Sequence, residues 1–376
     1  MTTDFSNQLQ DLLLDIRKRA AEFEKQRHLS ADIIERFKTL GVYRALVPQR
    51  LGGLQWSARQ FCELIETIAQ ADGSAGWVAS FGMAPMYLAA LPLATFEKIY
   101  GDNPNTVFAG GIFPPQPAVY VEGGIEVSGR WSFSSGCMGA DVVGVGISPR
   151  KGETTGLPRM AVIPRAKATI VEAWDVSGLA GTGSHDLVVD KVVVPEDWTF
   201  VRGGPSNLTE PMFRYPTLAF AAQVLAVVNL GIGRAAIEEL CRMATGYKAV
   251  TGAPGIGDRP ATQMALAQGE AQLQAARNWF YDAIDRAWDT LLKGDPVSPD
   301  QASALRLSAA HAARTGAEVA RSMQMLSGMA GIYNSSPIAR CVNDANVVTQ
   351  HAFLGDIVYQ NAGAMRFGKT PLPGYV

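Results

Sequence analysis

The chain has 376 residues, 47% hydrophobic and 18% charged, with a formal net charge of −2. That balance supports a sizeable core in one large domain or two to three smaller ones, and it gives no electrostatic case for nucleic acid or an anionic membrane surface. Cys62, Cys137, Cys241 and Cys341 stand far apart with neither a CxxC pair nor a nearby histidine, which predicts free thiols and no metal site. The opening MTTDFSNQLQDLL is polar and acidic, unlike a signal peptide, and no uninterrupted apolar run nears about 18 residues, so a cytoplasmic location without a membrane span is expected.

The first hundred residues read as helix. Leu9, Leu12, Leu13, Ile16, Ala20 and Phe23 keep the three- and four-residue spacing of an amphipathic helix. A second helix is expected from an N-cap at Ser30 to a stop at Gly41, with Ile33, Ile34, Phe37 and Leu40 inward. Ser57 opens a third, and Gln60 three residues on completes a capping-box pattern. The next, from Gly76 to about Leu91, is apolar nearly all round and so is expected to be buried.

Near Asn103 the composition turns to Val, Gly, Pro and Thr. Short β runs at Val119–Val121, Ile125–Phe133, Val142–Ile147, Met160–Ile163 and Leu187–Val194, separated by turn residues, predict a small barrel or sandwich. Ile125, Val127, Trp131 and Phe133 share one parity, hence one face of a strand. The pattern then stops at Ser134-Ser135-Gly136-Cys137, residues too small to fill a core. A large aromatic beside small hydroxyl residues leaves a flat-walled recess with hydrogen-bonding edges, suited to a planar ligand such as a flavin ring. From Tyr215 four long helical segments follow, at about 217–249, 259–293, 299–329 and 336–362, with Ser298-Pro299 as an N-cap and first-turn proline. Short loops between them predict a four-helix bundle.

This order, with the motifs it carries, resembles the acyl-CoA dehydrogenase fold, and within it the flavin-dependent monooxygenase branch. The resemblance spans nearly the whole chain. It rests on Gly73-Ser74-Ala75-Gly76-Trp77-Val78, Gly129 through Gly136 (GRWSFSSG), Trp174 through Ser184 (WDVSGLAGTGS) with Val192-Val193-Val194-Pro195, and the Arg340-x-x-x-Asp344 spacing. It implies an α+β, mainly α protein with a helical domain at 1–102, a β-barrel at 103–210 and a four-helix bundle at 211–376. Desaturating members carry a catalytic glutamate, often soon after the R-x-x-x-D helix. Here that stretch reads Ala345-Asn346-Val347-Val348-Thr349-Gln350-His351, and no glutamate follows Glu318. A thioester α-proton needs a positioned base; a histidine in that neighbourhood is what the monooxygenase branch has.

The resemblance assigns His351 to catalysis, helping to form or stabilise a flavin C4a-hydroperoxide or deprotonating substrate, with a pKa expected near neutrality. It places Trp131, Ser134, Ser135, Thr182, Gly183 and Ser184 around the flavin, and Lys248 and Arg259 at the flavin phosphate of a neighbouring subunit. Met83, Met86 and Tyr87 are substrate-pocket candidates on the buried helix. Each has an ordinary alternative: Trp131 as core, the serines and the GTGS loop as turns, Lys248 and Arg259 as solvated charges, Met83 and Met86 as packing. Arg340 and Asp344, four apart, suit a helix salt bridge. The implied reaction takes FADH2 or FMNH2 from a separate reductase and uses O2 to oxygenate a small aromatic, indole-type rings foremost. An acyl-CoA dehydrogenase holding FAD is the alternative, and a silent ligand-binding scaffold a third. A homotetramer is the expected assembly.

Overall fold

The computed structural model describes residues 3–149, 158–246, 252 and 254–376. Its first helices are α1 (Thr3–Gln26), α2 (Ala31–Leu40), α3 (Ala58–Ala71), α4 (Gly73–Ser80), α5 (Ala84–Leu88) and α6 (Leu93–Asp102). The α3 start forms through both bonds of the capping box: Ser57 accepts from the Gln60 amide, and Gln60 accepts from the Ser57 amide. Gly41 ends α2 at φ 80°, a left-handed turn that glycine adopts without Cβ strain. Ser30 precedes α2 but its side chain makes no capping bond; its Oγ accepts from Gln26 Nε2 and donates to Glu22, each at 2.8 Å. The helix expected from Gly76 begins at Gly73, since the Asp72 carboxylate accepts from the Ala75 amide at 2.9 Å. A 3-10 turn at Phe81–Met83 then divides it from α5.

Seven strands follow: β1 (Phe108–Val121), β2 (Gly124–Trp131), β3 (Val142–Ser148), β4 (Arg159–Pro164), β5 (Thr169–Val171), β6 (Asp186–Val194) and β7 (Thr199–Val201). Their order is β5-β6-β2-β1-β3-β4-β7. β1 is far longer than the run at 119–121, because it passes through Pro114-Pro115, which reads as a turn. Its first part pairs in parallel with β3 and its last four residues pair antiparallel with β2, so it joins the two halves. Side chains of both halves, including Val127, Trp131, Val143, Ile163 and Leu187, meet in one core.

The C-terminal helices are α7 (Thr217–Gly246), α8 (Pro260–Leu292), α9 (Pro299–Ser327), α10 (Pro337–Thr349) and α11 (Asp356–Arg366). Ser298 and Gln301 form a second capping box ahead of α9. α7 is long and apolar enough to cross a membrane by composition, but 89% of its most apolar window is buried inside the protein, as in a core helix. Leu225, Leu230, Ala309 and Ala320 are buried within the protomer where α7 meets α9, so their apolar character already has a partner. The last expected segment, 336–362, is two helices. The chain breaks between Thr349 and Asp356, and a 3-10 turn at Ala352–Leu354 fills the gap.

Candidate active site

That break faces a cavity of about 450 Å³ between the helical layer, the strands and the bundle, within the about 300–1,000 Å³ usual for small-molecule sites. α4 supplies Trp77, the 3-10 turn after it Met83 and α5 Tyr87; the exit from β2 supplies Phe133 and Ser135. The segment before β6 supplies Trp174, Leu179, Thr182 and Ser184, α7 supplies Val224 and Leu225, and the break supplies His351 and Phe353. Among the described residues lining it there is no Asp or Glu.

One wall is a run of hydroxyl groups. Trp77 Nε1 donates to Ser135 Oγ at 3.1 Å, Ser135 Oγ lies 2.6 Å from Ser184 Oγ, and Ser184 Oγ lies 2.7 Å from Thr182 Oγ1. Thr182 Oγ1 donates to the Leu179 carbonyl at 2.8 Å. Fixing both ends fixes the direction: Ser135 donates to Ser184 and Ser184 to Thr182. Each hydroxyl proton is thus used within the wall, while each oxygen keeps acceptor capacity. Acceptor oxygens on one side, with the indoles of Trp77 and Trp174 and the Phe133 ring about them, fit a planar heterocycle with polar edges.

His351 stands across from this wall. Its Nδ1 accepts from the Phe353 amide at 3.2 Å, which leaves the ring proton of the neutral imidazole on Nε2. Burial, and secondarily the charges of Arg202 and Arg306, push its pKa down to about 4. The near-neutral titration expected from sequence is therefore corrected: at pH 7 His351 is an uncharged N–H donor.

The loop bearing Leu179 is tied to α10 by Asp344, whose Oδ1 accepts from the Leu179 amide at 2.6 Å. At Gly178 the chain passes so close that a Cβ would stand 2.2 Å from the Asn343 carbonyl oxygen, so only glycine fits. Burial first, then the neighbouring Asp72, raise the Asp344 pKa to about 8. No Arg340–Asp344 salt bridge forms among the described residues; Arg340 instead approaches Glu24 at 3.7 Å.

Of the expected site residues, Ser135, Thr182, Ser184, His351, Met83 and Tyr87 line this cavity. Met86 and Ser134 are buried outside it, and Gly183 turns the loop at φ 58° behind it. Trp131, 0% exposed, lies in the barrel core with its indole N–H on the Gly146 carbonyl at 2.8 Å. Phe133 takes the place expected of Trp131. Beyond the end of β2 it adopts φ 62°, leaves the parity of the strand and stands 71% exposed against Trp174. Arg259 is exposed and donates to the Pro254 carbonyl, away from the cavity lining; Lys248 lies outside the described residues.

Sequence reasoning missed Arg202 and Phe353. The Arg202 guanidinium donates to Tyr87 Oη at 3.1 Å and lies over the Tyr87 and Phe353 rings, at 5.2 and 4.8 Å from their centroids. Phe353 was one apolar residue in an expected helix. Arg202 follows a three-residue strand with no periodic pattern to mark it.

Family models for the acyl-CoA dehydrogenase N-terminal and C-terminal domains match residues 12–96 and 223–355. Fold and site together define a protein of acyl-CoA dehydrogenase architecture with a histidine, and among the described residues no carboxylate, lining its cavity. The chain belongs to the flavin-dependent monooxygenase branch of that family. It is 65% identical over 360 residues to an indole-3-acetate monooxygenase of Pseudomonas putida, covering 96% of this chain and 92% of that one. It is 56% identical to one of Acinetobacter baumannii, covering 98% and 95%. The crystal structure of the HsaA monooxygenase from Mycobacterium tuberculosis superimposes with a TM-score of 0.90 at 26% identity, over 99% of each chain.

Proposed function

We propose that this chain is the oxygenase component that monooxygenates indole-3-acetate, taking reduced flavin, FADH2 or FMNH2, from a separate reductase. The observation that carries the reading is a mostly apolar cavity lined by a neutral histidine where a desaturase needs a carboxylate. The names of the two relatives above supply the substrate, and an oxygenase subunit and an oxygenase component among more distant relatives supply the reductase partner.

Reduced flavin, when bound, supplies the two electrons that let one atom of O2 enter the substrate while the other leaves as water. Ser135, Thr182 and Ser184 would hold the flavin's polar edge through their remaining lone pairs, with Trp77 fixing Ser135. His351 Nε2–H presents a hydrogen-bond donor to developing negative charge on oxygen without itself titrating. Val224, Leu225, Met83 and Phe353 exclude water, which suppresses loss of reduced oxygen species to solvent. The assembly is proposed to be a homotetramer in the cytoplasm, and exposed Met325, Met329, Ile332 and Tyr333 at the end of α9 are the surface offered for contact.

The test mixes anaerobically reduced flavin, protein and indole-3-acetate, then admits air. About one oxygenated product per reduced flavin is expected at full coupling. Absence of product, with oxidised flavin instead reduced by an acyl-CoA thioester, would return the chain to the desaturases.

A further inference from the structure

Buried charge is costly unless it is paired, and a single unpaired guanidinium in an apolar site is rare. This cavity has two at one end. Arg202 is the one formally charged residue among the described residues lining it, and its Nε is buried without a hydrogen-bond partner. Behind Phe353 stands Arg306, 5% exposed, with its guanidinium 5.1 Å from the Phe353 centroid and 5.4 Å from that of Tyr375. Its Nη1 donates to the Leu218 carbonyl at 3.3 Å, and its Nε also lacks a partner. Among the described residues neither arginine forms a salt bridge, although most other buried or half-buried arginines of the chain do, Arg59, Arg234 and Arg277 among them.

The two charges thus lack a counter-anion, and the space beside Arg202 is the cavity. Tyr87 accepts from Arg202, so its own O–H proton is free to be given away. The Arg202 guanidinium and the Tyr87 phenol O–H, which both line the cavity, form a two-donor cradle whose complement is a carboxylate. The guanidinium also lies within cation–π range of the Tyr87 and Phe353 rings, which restrains the cradle. Phe353 also touches the His351 ring at 5.2 Å, so an anion on Arg202 has His351 one ring away.

We infer that Arg202, with Tyr87, binds the carboxylate of an arylacetate-type substrate and thereby directs its aromatic ring toward His351. The inference deepens the indole-3-acetate reading and rests on it for the ring, while the carboxylate is argued from the cradle alone. Arg306 contributes long-range charge through Phe353 and touches no substrate. Binding of the anion also offsets the positive field on His351.

The test is equilibrium binding to flavin-free protein, followed by quenching of Trp77 and Trp174 fluorescence, with indole-3-acetate, indole-3-acetamide, phenylacetate and phenylacetamide. Wild type is expected to prefer each acid over its amide by roughly 100-fold, from a charge-assisted bond pair. Arg202→Gln is expected to collapse that ratio to within a few-fold, Arg202→Lys to restore part of it, and both to keep wild-type affinity for flavin. The thermal melt of flavin-free Arg202→Gln should match or exceed wild type, because an unpaired charge has gone. An unchanged acid-to-amide ratio in Arg202→Gln overturns the inference, as does a wild type that binds no arylcarboxylate. So does a loss of flavin affinity with the ratio intact, which would assign Arg202 to the flavin. A ratio that collapses for phenylacetate, with indole-3-acetate binding neither protein, upholds Arg202 and refutes the indole substrate instead.

Discussion

The Trp77 indole meets the His351 imidazole edge-on, with ring centroids 5.8 Å apart. The same indole donates to Ser135, so one side chain of α4 bridges the hydroxyl wall and His351. The β-strand exit and the break after α10 are thereby held in register across the cavity. Ser135→Ala leaves the Trp77 N–H without its acceptor and interrupts the hydroxyl run at its start. Flavin affinity, measured by titration of reduced flavin, should weaken by roughly tenfold; an unaltered affinity would remove the hydroxyl wall from the flavin site.

The proposed role of His351 is that of a donor and not of a base. His351→Ala should leave flavin binding intact while lowering product formed per O2 consumed by roughly tenfold or more. His351→Gln keeps an N–H but cannot titrate, so it should retain more coupling than the alanine variant. Equal loss in both variants would favour proton abstraction.

The depressed His351 pKa also sets a stability slope. The unfolded chain takes up a proton near pH 6.5, the folded site only near pH 4, so this group's contribution is present above pH 6.5 and is lost as pH falls toward 4. The loss amounts to about 3 kcal/mol by pH 4. Denaturant melts of wild type and His351→Gln from pH 7 to pH 4 check this: the wild-type curve should fall more steeply. Parallel curves would mean that the ring is solvated.

Asp344 carries the opposite sign. Its folded pKa is raised, so the proton it holds favours the folded state below about pH 4, and that advantage fades as pH rises toward 8. Asp344→Asn keeps an acceptor for Leu179 without the titration, and should flatten the decline of stability between pH 5 and 8. Asp344→Ala leaves the Leu179 amide unpaired and should cost about 1–3 kcal/mol, with faster hydrogen exchange across residues 174–184. Exchange there at the wild-type rate would show that the loop is held by other contacts.

What the sequence made legible was local chemistry. The capping box at Ser57–Gln60, the N-cap at Ser298 and the helix stop at Gly41 were readable because each motif satisfies its own backbone groups within a few residues. The helix–strand–helix order followed from composition. The losses came where tertiary packing overrides pattern. Gly129, at φ 159°, accompanies a register shift between Val127 and Gly129, yet Trp131 still turns into the core. Phe133 then swings outward, so the aromatic wall belongs to a residue two positions later than parity places it. Helix period over 336–362 hid the break that exposes His351 and Phe353. Arg202 could have been found only by asking which charge in an apolar segment lacks a partner, a question that needs coordinates.

As a monooxygenase site, this cavity would deliver one atom of molecular oxygen to an arylacetate. Single-turnover reaction of reduced flavin, protein and indole-3-acetate under 18O2, with mass spectrometry of the product, tests it directly. One 18O atom per product molecule is expected from 18O2 and none from H2 18O. Label drawn from water, or oxidised flavin with unmodified indole-3-acetate, would contradict it.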